Sequence, residues 1–268
     1  RLGVAPSGQT VGVEVTASAE GGPEGFAIAR TSDGVVVSAS TSAGAVRGFY
    51  RVLTTGLDGA EVGVHAPAMP IRMLNDWDNL SAGEHLGSVE RGYSGASILF
   101  ADGVMVDDLS RLRDYARLLC SVGMNALCLN NVNVHDAGTH LIAGMLDDVA
   151  RAADVLREYG VSTYLAANFA APITLGDLDT ADPCDDRVRD WWRQAAARVY
   201  AAIPDFGGFV VKADSEGRPG PFTYGRTHVD GANMLAEALA PHGGVVFWRC
   251  FVYDCRQDWR DRTTDRAR

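Results

Sequence analysis

Gly208-Phe209-Val210-Val211-Lys212-Ala213-Asp214 is apolar for four residues, then charged, and the following Ser215-Glu216-Gly217-Arg218-Pro219-Gly220-Pro221 supplies the glycine and proline that end a strand. Four other runs share that form: 71–75, 125–131, 162–168 and 244–250. Between the five, helical periodicity predicts helices near 107–122, 141–159, 186–203 and 229–241. Alternating strand and helix points to a parallel sheet in an α/β fold. Each run is apolar at its start and polar at its end, finishing in Asn75, Asn130-Asn131, Asn168, Lys212 and Arg249. Both a (β/α)8 barrel and a doubly wound sheet bind ligands beyond their strand ends. No GxGxxG or GxxxxGK[ST] follows any run, which weighs against dinucleotide and nucleoside triphosphate binding and favours the barrel.

Ahead of these runs, residues 1–67 read as a small α/β support domain. A hairpin is expected over 25–30 and 35–40 around Thr31-Ser32-Asp33-Gly34, then a helix capped by Thr41 or Ser42 and stopping at Gly56. His65-Ala66-Pro67-Ala68-Met69-Pro70 reads as a linker, and residues 68–268 form the second domain.

The 268 residues carry 24 Lys and Arg against 34 Asp and Glu, a net charge of −10, which excludes general electrostatic binding of nucleic acid or anionic membranes. No apolar stretch reaches the length of a membrane span, and the N-terminus lacks the order of a secretory signal. The five cysteines, without CxxC spacing, are expected to be reduced and buried in a cytoplasmic protein. His135, Asp136, His140 and His228 match no metal-ligand spacing, so no metal is expected.

On an extended strand Val210, Lys212 and Asp214 share a face, with Glu216 at the lip, where a carboxyl held protonated could act as a general acid. A solvated Lys212–Glu216 ion pair is the plainer alternative. Arg249 lies in the apolar run 245–253 and calls for a partner. Two cations on neighbouring strands suit a carboxylate or phosphate ligand, with Asp214 the competing protein carboxylate. Trp77 beside Asn and Asp side chains suits a sugar ring.

The stretches 72–80 (RMLNDWDNL), 90–93 (ERGY), 130–134 (NNVNV), 212–221 (KADSEGRPGP), 224–233 (YGRTHVDGAN) and 248–253 (WRCFVY) together resemble the α-glucuronidases of glycoside hydrolase family 67. The resemblance implies a (β/α)8 barrel behind a hexosaminidase-like support domain. It also implies cofactor-free, inverting removal of (4-O-methyl-)D-glucuronic acid α-1,2-linked to the terminal xylose of xylan-derived aldouronic oligosaccharides. Position by position, Glu216 matches the general acid and Lys212 and Arg249 the cations that hold the uronate carboxylate. Trp77 matches an aromatic wall, and Val134 an apolar contact near the 4-O-methyl group. The resemblance leaves room for a homodimeric full-length parent. Only five of the eight strands of a closed barrel can be counted, and no second carboxylate matches the base, so the chain is expected to be an inactive piece of a longer enzyme. The other classes left open are a hexosaminidase-like barrel glycosidase and a noncatalytic carbohydrate binder.

Overall fold

The computed structural model describes residues 8–17, 19–78, 80, 97–134, 136–214 and 219–249. The chain divides into two compact units, one running to Arg72 and including Asp114–Asn125 and Glu158–Val161, the other formed by the remainder.

In the first unit β2 (Phe26–Thr31) and β3 (Gly34–Ala39) form the expected hairpin. The sequence did not disclose the two strands flanking it: β1 (Thr10–Val15) lies parallel to β3, and β4 (Gly63–His65) antiparallel to β2. Gly34 also differs in role from the sequence reading. The loop is Ser32-Asp33, and Gly34 is already paired, at φ 147°. A Cβ there would lie 2.0 Å from the Thr10 carbonyl oxygen, so Gly34 is what lets β1 approach. α1 (Ser42–Gly59) begins at Thr41, whose Oγ1 accepts from Gly44 N at 3.1 Å. Gly56, the expected stop, breaks the helical geometry at φ 73°, but one more turn follows. Ile28, Val35, Val37, Ala45 and Val52 form the core.

A polar node lies beside that core. The Glu24 carboxylate accepts from Arg47 Nη2 at 2.8 Å, Arg72 Nη2 at 2.9 Å and Asn125 Nδ2 at 2.9 Å. Arg47, itself buried, also donates to the carbonyls of Met124 and Gly160. Gly123 and Gly160 adopt φ 83° and 66°, the left-handed geometry expected where a helix turns back into a strand.

The second unit holds a five-stranded, all-parallel sheet of β5 (Met73–Asn75), β8 (Ala126–Cys128), β9 (Ser162–Ala167), β10 (Gly208–Lys212) and β11 (Val245–Arg249), in the spatial order β11-β10-β9-β8-β5. Each of the five expected runs therefore carries a strand, and strands next in sequence along this set are next in space. β6 (Phe100–Ala101) and β7 (Val104–Met105) make a separate hairpin turning at Asp102-Gly103.

The connecting helices are α2 (Ser110–Ser121), α4 (Leu146–Arg157), α6 (Asp186–Ala202) and α7 (His228–Leu239). The helix expected over 141–159 starts later than its periodicity suggests. α3 (Asp136–Thr139) and a 3₁₀ turn at His140–Ile142 come first, and α4 opens with Asp147 and Asp148 at its positively polarised end. α5 (Ala171–Gly176) follows β9 and was not expected. Among the described residues no helix is long and apolar enough to cross a membrane.

Candidate active site

Alternation along β10 and β11 decides which side chains share a surface. Phe209 meets Phe206 and, on α6, Trp192, at ring distances of 5.3 and 5.9 Å, so its face of the sheet is the helix-covered one. Trp248 meets His228 of α7 on that same face. Val210, Lys212, Phe247 and Arg249 therefore point to the other face, where Phe247 packs edge-on against Tyr164. Lys212 and Arg249 are register partners at the C-terminal ends of their strands, their backbones one strand spacing of about 4.8 Å apart across the sheet. Lys212 is buried, at 6% exposure, and the pair with Glu216 that its position in sequence allowed involves a residue outside the described ones. Arg249 is half-buried, and among the described residues its Nη1 is buried without a hydrogen-bond partner.

Asp214, the carboxylate that competed for these cations, is engaged elsewhere. It takes φ 51° just past β10, and its Oδ2 accepts from Phe222 N at 3.1 Å. Burial raises its pKa above the usual carboxylate value, partly offset by the Phe222 hydrogen bond and by His228. Gly220 packs so closely here that a Cβ would lie 2.3 Å from Asp214 Cγ, which explains a glycine at that point of the returning loop.

Trp77 and Val134 follow the ends of β5 and β8, and Asn131 N donates to the Asp78 carbonyl at 2.9 Å to join the two loops. Trp77 is half-buried and Val134 fully buried. The structure thus brings Trp77, Val134, Lys212 and Arg249 to the C-terminal edge of one sheet. Glu216, four residues past Lys212, lies outside the described residues, as do 90–93, His135 and everything from Cys250 onward.

The asparagines at this edge divide by use. Asn130 acts as a strand residue with its side chain: Nδ2 donates to the Ala166 carbonyl at 3.1 Å and Oδ1 accepts from Ala166 N at 2.8 Å. Asn168 bonds Ala170 N and Thr139 Oγ1. By contrast, among the described residues Asn75 Oδ1 and Asn131 Nδ2 are buried without partners, which leaves unsatisfied polar atoms at the β5–β8 end of the same edge.

Sequence reading missed what supports this edge. The stretch 224–233 is largely architectural. Tyr224 Oη accepts from Ala181 N, Arg226 forks onto Asp182, and Thr227 with Asp230 forms a capping box for α7. Arg226 in turn holds the Asp182 carboxyl below its ordinary pKa. Within the same stretch, His228 accepts the Trp248 indole N–H. Cys184 corrects the cysteine expectation, since it is exposed in the turn before α6, where its N–H bonds Asp182. Cys120 and Cys128 are buried as expected, with the Cys128 thiol pushed up to about 12 by burial. Among the described residues no three His, Cys, Asp or Glu side chains gather as a metal set.

Comparison with known proteins places this edge in a family. Residues 56–268 match the glycosyl hydrolase family 67 middle domain. Alpha-glucuronidase A of Emericella nidulans is 46% identical over 252 residues, covering 91% of this chain and 29% of that protein. Alpha-glucuronidase A of Aspergillus tubingensis is 43% identical, covering 92% of this chain and 29% of its own length, so the chain spans less than a third of these relatives. Among solved structures, Streptomyces plicatus N-acetyl-beta-hexosaminidase aligns with a TM-score of 0.55 at 11% identity, over 96% of this chain and 59% of that one. The GH20 beta-N-acetylhexosaminidase of Streptomyces coelicolor aligns at 0.53 with 12% identity, over 96% of this chain and 60% of that one. At such identities the likeness is one of fold alone. The sequence match, spanning both cation-bearing strands, assigns the chain directly: it belongs to glycosyl hydrolase family 67.

Proposed function

We propose that the full-length protein containing this chain is an inverting α-glucuronidase. It removes (4-O-methyl-)D-glucuronic acid α-1,2-linked to the terminal xylose of xylooligosaccharides. The observation that carries this reading is the pairing in register of Lys212 and Arg249, on one face at the strand ends of a family 67 chain whose relatives are named alpha-glucuronidases. Two adjacent cations suit the two oxygens of a uronate carboxylate, and a neutral acetamido sugar offers them nothing of matching charge. The five parallel strands are then the first part of a (β/α)8 barrel, with the sugar bound at its C-terminal mouth.

In this mechanism Lys212 and Arg249 fix the carboxylate, Trp77 lines the ring, and Val134 borders the 4-O-methyl group. Glu216 gives its proton to the glycosidic oxygen. A carboxylate base roughly 6.5–9.5 Å away activates water on the opposite face of the sugar. The field of two cations would drive Glu216 to ionise, and the bound uronate offsets that field, so the correct substrate keeps its acid protonated.

The test is hydrolysis of aldouronic oligosaccharides by the full-length protein, followed by proton NMR. The reading predicts free glucuronic acid whose first-formed anomer is β. Release of only neutral sugars, or α as the first anomer, would overturn it.

A further inference from the structure

We infer that His228 is a positioning residue that clasps Trp248 and so holds the Arg249 end of β11 where it can meet a carboxylate. This rests on the reading of Arg249 as a carboxylate ligand. Trp248 Nε1 donates to His228 Nδ1 at 3.1 Å. An indole N–H only donates, so Nδ1 must be unprotonated and the imidazole proton sits on Nε2, which among the described residues is buried without a partner.

Packing leaves the indole little other freedom. Phe169 meets it edge-on at 6.0 Å, Phe222 lies 4.6 Å from the imidazole, and at Gly231 a Cβ would come within 2.6 Å of Trp248 Cη2. Arg249 is the next residue, on the opposite face of the strand. What fixes the Trp248 backbone therefore fixes the root of the Arg249 side chain.

The clasp holds in only one protonation state. Imidazolium carries N–H on both nitrogens, which would set two donors against each other at Nδ1. Among the described residues the groups against the ring are Asp214 past β10, Phe222 of the 3₁₀ turn Pro221–Tyr224 and Trp248 of β11, while Asp230, on its own helix, has its carboxylate taken by Thr227. Burial lowers the His228 pKa below 6.5 and outweighs the opposing pull of Asp214. The clasp is thus closed at neutral pH and opens on acidification.

The experiment uses the full-length protein as wild type, His228→Asn and Trp248→Phe. Asparagine presents Oδ1 near the Nδ1 position, so it can accept the indole bond but does not titrate. First, the Trp248 indole ¹H–¹⁵N resonance, assigned by its loss in Trp248→Phe, is followed from pH 8 downward for as long as the protein stays folded. It should move with a single titration in wild type and stay fixed in His228→Asn. Second, KM for aldouronic oligosaccharides should rise about tenfold in wild type as pH falls through that titration, the loss of one charge-assisted contact, with kcat changing much less. His228→Asn should keep the low KM throughout. Every other titrating group is common to the two proteins, so the difference between them isolates His228. An indole resonance that ignores pH, or the same KM profile in both proteins, would overturn the inference. Failure to release uronic acid at all would instead overturn the proposed function, and the NMR titration would still decide the clasp.

Discussion

Gly208→Ala is the sharpest probe of how the fold makes the cation pair. Gly208 opens β10, opposite Val245 in register, at φ 137°, and a Cβ there would lie 1.9 Å from the Val245 carbonyl oxygen and 2.7 Å from its nitrogen. Both obstacles are backbone, so no side chain can swing away. Forcing alanine into that conformation costs about 1–3 kcal/mol. Relieving the collision separates β10 from β11 at this point and sacrifices ladder hydrogen bonds such as Val245 N to Gly207 O, at about 1 kcal/mol each. The sum is about 3 kcal/mol, paid at the sheet position that sets Lys212 opposite Arg249. Gly225→Ala is the matched control, because Gly225 has φ 67° but nothing within 4 Å of its would-be Cβ. In thermal and urea denaturation of the full-length protein, Gly208→Ala should lose about 3 kcal/mol and weaken glucuronate binding at least tenfold, against about 1 kcal/mol and unchanged binding for Gly225→Ala. Equal, small losses for both would refute the argument that β10–β11 register builds the site.

Three further outcomes follow from named contacts. Glu24→Ala leaves Arg47 buried without its carboxylate and should cost about 3 kcal/mol in denaturant titration, whereas Glu61→Ala, whose pair with Arg51 is exposed, should cost under about 0.5 kcal/mol. A thiol reagent applied to the native protein should label Cys184 and spare Cys120 and Cys128, as peptide mapping by mass spectrometry would show. The hydrogen bonds from Arg157 hold the Asp205 carboxyl below its ordinary value of 3.8, so between the two pKa values the unfolded chain binds more protons than the folded one. This contribution is intact above about pH 4 and disappears as pH falls through the lowered folded value, so Asp205→Asn should flatten stability against pH in that range.

Much of this was legible in sequence because period and polarity coincide. Apolar runs ending in Asn or a cation located all five parallel strands and the edge where the candidate site lies. The sequence could not separate asparagines whose side chains complete the fold from those that leave a polar atom unsatisfied at the edge. Asn130 and Asn131 are adjacent, yet Asn130 substitutes for backbone in the Ala166 ladder while Asn131 keeps a free Nδ2, and only the path of the chain after β8 decides which is which. Gly34 read as turn chemistry because an Asp-Gly pair between strands has that meaning locally, whereas its need arises from a strand more than twenty residues earlier. β1 carries too few buried side chains for periodicity to mark it. His228 and Trp248 are 20 residues apart and meet only once α7 packs on β11.

The central claim is that the paired cations Lys212 and Arg249 select a carboxylate. Its most direct measurement is kcat/KM of the full-length protein on an aldouronic oligosaccharide and on the same oligosaccharide with its uronate methyl-esterified, in wild type and in Lys212→Met and Arg249→Met. At about 1.5–3 kcal/mol for each charge-assisted bond, the acid should be preferred by at least about a hundredfold in wild type. Each substitution should erase most of that preference by slowing the acid and leaving the ester little changed. Equal rates on acid and ester in wild type, or a preference that survives both substitutions, would contradict it.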